Sequence, residues 1–412
     1  MTAAYTENPL LETIALSLET HIKPLLPGAV MSGPYRGGIS PALLICYDTK
    51  HRLRIYLPSG LEQFFVFERT HPFSEEERSF MEEIIQGIRS AAFAGKQPLE
   101  AAAASATLAV SRYAAPEFPE TVARVVKIYE AWLACGKVKT AHTTGIRLMR
   151  HADTLGNIFD PVGERLAKAL GTNPDALVII DVKGGIRAIE KFPSPDGENR
   201  RGQDIFAPVG HAGVAAWANS RRKVAIRMTG DGTILLFNRG QLLFTRKNGV
   251  WRSPPHTLAN IASIPESIDG VAPETVTALY LTALDLTSGN RASRIGLIRT
   301  SAGRRLPGMW KEKTRFPKGS ARKNAKLLAG MIHAQKFHEI PRTIRAEVCS
   351  LGGVLFLDGQ GSILGLDLSE NEDIAADGLN GSRDEKRQAF PGSAYMELLN
   401  RDGSLNLRLA IY

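Results

Sequence analysis

The chain is poor in the residues from which the most legible sites are built. Its 412 residues contain three cysteines, Cys46, Cys135 and Cys349, far apart and with no CxxC pair. That excludes a disulfide framework and a thiolate zinc site, and it fits a reducing compartment, so a cytoplasmic location is expected. No apolar stretch approaches the roughly 18 residues of a membrane span, so no membrane partner is expected. The opening residues Met1-Thr2-Ala3-Ala4-Tyr5-Thr6-Glu7 lack the basic start and apolar run of a signal peptide. Gly95-Lys96 and Gly136-Lys137 lack the spacing of a phosphate-binding Walker loop, and no GxSxG elbow occurs. Ser320-Ala321-Arg322-Lys323 fits SxxK, a pattern short enough to arise by chance. The nine histidines are scattered, and His142 and His151 have no carboxylate at metal-ligand spacing.

What the chain does have is a modest positive excess, a formal net charge of +9, concentrated in one stretch. Between Arg294 and Lys326 there are eleven Lys or Arg and one acid, Glu312. Such a run is a solvated basic face or an anion funnel, and nucleic acid is one partner it would suit. Trp310, close to Arg304, Arg305, Lys311 and Lys313, is the tryptophan placed to stack a base. Trp217 and Trp251 read as packing residues. His333 and His338 read as structural or solvated.

The patterning predicts helices alternating with hairpins. Leu10, Ile14, Leu18 and Ile22 give an N-terminal helix one apolar stripe. Ser74 and Glu77 form a capping box ahead of Phe80, Ile84 and Ile88. Helices are also predicted over 99–113, over 122–133 with a stop at Gly136, after Asp160-Pro161, and over 274–286, 321–332 and 341–351. Strand–turn–strand units are predicted at 176–192 through Lys183-Gly184-Gly185 and at 224–238 through Gly230-Asp231-Gly232. Others follow at 241–251, 354–366 and 395–412, with a weaker one at 42–57. Asp-Gly and Asn-Gly between β-rich runs signal hairpins because both tolerate positive φ. The spacing is irregular, so the recurrence reads as ribbon content and not a solenoid. The expected class is α/β (α+β), with mixed sheets and hairpins flanked by helices. The expected divisions are an α/β module over 1–95, a helical region over 96–172, a hairpin-rich domain over 173–258 and a nucleotide-binding domain over 259–412.

The last part carries the most specific chemistry. Gly352-Gly353 opens a strand, Val354 to Asp358, that turns through Gly359-Gln360-Gly361. A loop, Gly381-Ser382-Arg383, follows. Glycines at a strand mouth beside a Gly-Ser-Arg turn suit a phosphate, because the backbone can approach closely with N–H groups pointing outward. The bland reading is a bulge at a strand start and an ordinary surface turn.

These residues resemble the core of a diadenylate cyclase (DAC) domain. The resemblance rests on the helix Arg342-Thr343-Ile344-Arg345-Ala346-Glu347-Val348, on the strand and turn that follow, and on Gly381-Ser382-Arg383 as the element facing them across the nucleotide site. Leu279-Tyr280-Leu281, Ala283-Leu284-Asp285 and Ile295-Gly296-Leu297-Ile298 resemble the family's entry helix and first strand, and 229–252 a ribbon upstream of it. The likeness covers roughly residues 170–412. The family's Asp-Gly-Ala falls on Gly352-Gly353-Val354, so the metal-holding aspartate is a glycine, and its Arg-His-Arg falls on Arg383-Asp384-Glu385. Phosphoryl transfer needs that carboxylate.

The resemblance therefore implies a degenerate domain of the nucleotide-sensor (DACNV-type) branch, bacterial and signalling. It would bind ATP or a cyclic nucleotide without making one. Gly352, Gly353, Gly381, Ser382 and Arg383 would contact phosphate, and the basic loop with Arg304 and Arg305 would close over the ligand. Mg or Mn would accompany a bound triphosphate. A protein effector would read the signal, and a homo-oligomer is compatible. The alternatives are an active diadenylate cyclase, a nucleotidyltransferase taking its metal ligand from Asp358, Asp367 or Glu347, and a nucleic-acid-binding protein using residues 294–326.

Overall fold

The computed structural model describes residues 9–26, 28–37, 44–57, 62–69, 72–136, 140–149, 153–171, 173, 175–192, 207–254, 270–288, 293–298, 335–350, 354–367, 394–401 and 404–411. The chain forms two compact units, one from residues 1–194 with 213–264, the other from 195–212 with 265–412. Both mix helices with sheets, so the class is α/β mixed, as the patterning implied. The cut after residue 264 lies within the proline-bearing stretch 253–269, and the boundaries expected at 95 and 172 fall inside the first unit. Among the described residues no helix is long and apolar enough to cross a membrane.

The first unit opens with helix α1 (Pro9–His21) and a four-stranded antiparallel sheet, ordered β1-β4-β3-β2, of β1 (Val30–Arg36), β2 (Leu44–Thr49), β3 (Arg52–Tyr56) and β4 (Gln63–Glu68). Leu53 and Ile55 alternate inward along β3 and are buried. In α1 the buried stripe is Leu11, Ile14 and Leu18, whereas Leu10 is 39% exposed. Four-residue steps overshoot a full helical turn by about 40°, so a stripe drawn from Leu10 leaves the buried face. Helix α2 (Glu75–Phe93) starts at the expected box: the Glu77 backbone N–H donates to Ser74 Oγ at 3.2 Å and the Ser74 N–H to Glu77 Oε2 at 2.9 Å. The same Glu77 takes a fully buried Arg69, with Nη1 donating to Oε1 at 2.9 Å. One carboxylate thus caps a helix and neutralises a cation that would be costly alone.

Helices α3 (Pro98–Ala114) and α4 (Pro119–Ala134) lead into a seven-stranded sheet, ordered β11-β10-β9-β8-β5-β6-β7. Its strands are β5 (His142–Arg147), β6 (Ala176–Asp181), β7 (Ile186–Lys191), β8 (Lys223–Met228), β9 (Ile234–Asn238), β10 (Gln241–Lys247) and β11 (Val250–Arg252). Strand β5, within the stretch expected to be helical, is the one joined in parallel to β6, by helix α5 (Pro161–Leu170). Asp160 sits at the α5 N-cap with extended backbone but makes no side-chain cap; Pro161 supplies the start. The short α6 (Ala212–Trp217) precedes β8. One sheet face packs Ile146, Val178, Ile180, Val224 and Ile226 with α1–α4 in a single core.

The second unit contains α7 (Pro273–Ser288), β12 (Ser293–Ile298), α8 (Arg342–Ser350), β13 (Val354–Asp358), β14 (Ile363–Asp367), β15 (Ala394–Arg401) and β16 (Ser404–Ile411). The sheet order is β14-β13-β12-β15-β16, with β12 and β13 parallel and the other pairs antiparallel. The first unit contains the same arrangement in the same chain order, β7-β6-β5-β8-β9, with β5 and β6 parallel and the rest antiparallel. The hairpins noted in the sequence are therefore parts of a five-stranded module that occurs twice. The register slips at the same step in both, between Ile179 and Ile180 and between Phe356 and Leu357, two residues before the aspartate that ends the strand.

In the first unit's core, His142 Nε2 meets the Ala167 carbonyl at 2.8 Å and its Nδ1 meets Tyr129 Oη at 3.0 Å, with Tyr129 Oη also 2.7 Å from Thr144 Oγ1. Burial pushes the imidazole pKa from 6.5 to about 4, against the Ala167 bond. The folded state therefore holds His142 neutral while the unfolded chain takes up a proton below pH ~6.5. His142 stabilises the fold fully above that pH and loses its contribution as pH falls towards 4, a span worth about 3 kcal/mol. Urea melts at pH 7 and pH 5 should show a smaller difference for His142→Gln than for the wild type. Equal pH differences would remove this histidine from the account.

Candidate strand-mouth site

Gly352, Gly353, Gly381, Ser382, Arg383, Arg304 and Arg305 all lie outside the described residues. The neighbouring strands nevertheless fix where the chain enters and leaves. Val354, which follows Gly353, pairs with Asp367 on β14 and with Arg294 on β12. The start of β13 and the end of β14 therefore share one sheet edge, and the segment carrying Gly381-Ser382-Arg383 departs from that edge. The segment carrying Arg304 and Arg305 departs from Ile298, which pairs with Asp358 at the other end of β13. Four residues of strand separate the two edges, about 13 Å. The framework thus groups the exits towards the two glycine elements and sets the exit towards the basic loop apart.

Helix α8 aims the chain into this mouth. Its first residue, Arg342, is locked to Asp285 on α7, with Nε donating to Oδ2 at 2.7 Å and Nη2 to Oδ1 at 2.8 Å, and it also donates to the Ala207 carbonyl. Asp285 is almost wholly buried, so a planar two-pronged guanidinium suits it better than a lysine. Val348 and Cys349 bury the other end of α8.

Three acids were candidates to replace the missing metal ligand. Asp358 is engaged otherwise: its Oδ1 accepts the Gln360 N–H at 2.9 Å and the Ser362 N–H at 2.7 Å, and it stands at the far end of β13 from Gly353. Glu347 is exposed on α8. Asp367 is placed at the mouth by its pairing with Val354. Among the described residues no three His, Cys, Asp or Glu side chains group as a metal-binding set.

The Asp358 turn has a counterpart that the sequence reading missed. Asp181 ends β6 as Asp358 ends β13. Asp181 Oδ1 accepts the Lys183 N–H at 2.8 Å and the Gly185 N–H at 3.0 Å, the same second and fourth residues beyond the aspartate. In both turns the third residue is a glycine at positive φ, Gly184 at 88° and Gly361 at 80°, and its N–H donates to the aspartate carbonyl at 3.0 Å. Both turns also anchor the approach to the crossover helix. The Ile158 N–H donates to Gly184 O at 2.9 Å and the Phe337 N–H to Gly361 O at 2.7 Å, beside the isolated bridges Asn157–Gly185 and Lys336–Ser362. A legible signal existed: an apolar run closed by Asp with glycine three residues on, preceded by a proline that opens a helix, Pro161 or Pro341.

Counted from these aspartates, Gly352 corresponds to Asp175, six residues ahead in each case. The turns differ in one respect. Asp181 also accepts from Arg187 Nε at 2.8 Å, and both side chains are buried. Burial opposes ionisation of Asp181, but the Gly185 N–H and Arg187 outweigh it and hold the pKa below the usual carboxylate range.

No protein-family model matches this chain, and no curated protein matches it in sequence.

Asp358→Ala removes two backbone acceptor bonds and should cost about 1–3 kcal/mol. Asp181→Ala also strands a buried guanidinium and should cost about 3–5 kcal/mol. Denaturant melts of the two variants check the order; an Asp358→Ala loss equal to or larger than that of Asp181→Ala would contradict it.

Proposed function

We propose that the second unit is a nucleotide-sensing domain similar to a degenerate diadenylate cyclase. It binds ATP or a cyclic nucleotide at the mouth of β13 and passes the occupied state to a protein effector. The observation that carries this reading is the pairing of Val354 with Asp367, which gives Gly352-Gly353 and the segment leading to Gly381-Ser382-Arg383 a common edge from which to converge. The rigid Arg342–Asp285 clamp supports it, because a binding edge needs a fixed approach.

Binding without turnover follows from the residues. Where the resembled family has a metal-holding aspartate, this chain has Gly352, and Asp384 and Glu385 follow Arg383. The residues aligned with that family do not fit its cation, so no chemical step is assigned. One observation favours a second reading: Asp367 stands at the mouth by register, and a carboxylate there would restore a ligand for Mg or Mn.

A thermal-shift panel of ATP, GTP, NAD and cyclic di-AMP, with and without magnesium, tests the proposal. One nucleotide at about 100 times its Kd should stabilise the chain by ~3 kcal/mol, and Arg383→Ala should abolish the shift. A panel in which no nucleotide raises Tm would end the sensor reading. Conversion of ATP to a cyclic dinucleotide with manganese, lost in Asp367→Asn, would establish the second reading. Polynucleotide binding that falls steeply with salt would instead point to residues 294–326.

A further inference from the structure

Two half-buried arginines of the first unit, Arg78 over the Tyr47 ring and Arg227, lack the acid partner that the more deeply buried arginine side chains have. Arg69 pairs with Glu77, Arg187 with Asp181, and Arg246 with Glu130. Arg227 has no ion pair and no hydrogen bond among the described residues, and its buried Nε has no partner. It lies on β8 between Ile226 and Met228, which belong to the helical core, so its side chain projects from the opposite sheet face. Its neighbour across the ladder is the neutral Thr143. The guanidinium stands 5.5 Å from the centre of the Phe192 ring, and the Phe192 N–H donates to the Asp175 carbonyl at 3.3 Å. Arg227 and Phe192 are thus gathered at the start of β6, the end of the strand that Gly352-Gly353 precede in sequence for β13.

The two modules diverge at this point. Arg227 pairs with Thr143 as Glu397 pairs with Arg294 in the second unit. The second unit has opposite charges at the paired positions, whereas the first leaves an arginine opposite a hydroxyl. Burial lowers the Arg227 pKa, with Asp175 and then Tyr129 opposing, yet Asp175 lies beyond ion-pair distance. A half-buried guanidinium has lost part of its hydration without a counter-charge in return. An anion held by its planar fork would supply that charge, with the Phe192 ring beside it.

We infer that the first unit carries an anion-binding site of its own at the mouth of β6, in which Arg227 holds a phosphate group of a ligand that lies against Phe192. The correspondence of the two mouths, though not the Arg227 geometry, rests on the proposed nucleotide site of the second unit. The probe is inorganic pyrophosphate, titrated into the full chain by calorimetry at constant ionic strength. Wild type should bind at two sites, Arg227→Met at one, with the loss at the affected site at least tenfold. Arg227→Met keeps the aliphatic stem and removes an unpaired charge, so its unliganded Tm should not fall. Arg227→Lys, the variant to rely on should folding suffer, keeps the charge without the fork and should weaken the same site by roughly tenfold.

Identical titrations of wild type and Arg227→Met overturn the inference, as does the absence of any pyrophosphate binding in wild type. Binding abolished only by Arg383→Ala also overturns it and leaves the second-unit reading standing. Binding lost in Arg227→Met but untouched by Arg383→Ala upholds it and removes the phosphate role given to Arg383.

Discussion

Two strands that run the same way cannot be joined by a tight turn, so the chain must travel back along the sheet before it can pair. This constraint governs both units. β5 must return to begin β6, and β12 must return to begin β13. In each case the return path is tied, near its helix, to a turn built on an aspartate at the far end of the second strand. The aspartate therefore does more than finish a strand. It fixes one end of the crossover, the crossover helix fixes the other, and the strand mouth is placed by the two together.

Much of this was legible in residue order. The hairpins at 176–192, 224–238 and 241–251 announced themselves by alternating apolar runs around Lys-Gly-Gly, Gly-Asp-Gly and Lys-Asn-Gly, and they form where expected. The Ser74–Glu77 box was legible because it is local. β5 was not, because His142-Thr143-Thr144-Gly145-Ile146-Arg147 has little apolar alternation; its burial comes from strands on both sides, a tertiary fact. Leu10 was misplaced because four-residue spacing only approximates the helix period. The doubling of the module stayed hidden because Pro161 stands 20 residues before Asp181 but Pro341 only 17 before Asp358, so no fixed period exists. The candidate phosphate contacts are a harder case. Glycines are readable as conformational freedom, but which segments meet across an edge is set by register, here Val354 with Asp367.

The electrostatics divide in the same way. The charge that is conspicuous in the sequence is the basic stretch 294–326, which begins on β12 at the β13 mouth but leaves the sheet after Ile298, at the opposite end. The charges that organise the fold are few and buried: Arg69 with Glu77, Arg187 with Asp181, Arg342 with Asp285. Each joins a cation to an acid that already serves a cap, a turn or a helix contact. Against that background Arg227 stands apart, because the acid whose charge reaches it, Asp175, lies beyond ion-pair distance.

A chain that carries one scaffold twice is free in a way that a single copy is not. Selection acting on one mouth need not constrain the other, so an aspartate can persist at position 175 while a glycine occupies position 352. Natural variation should then accumulate unevenly: the strand-ending aspartates and their glycines would be retained in both halves, because each half must still fold. The mouths themselves would diverge, each towards its own chemistry.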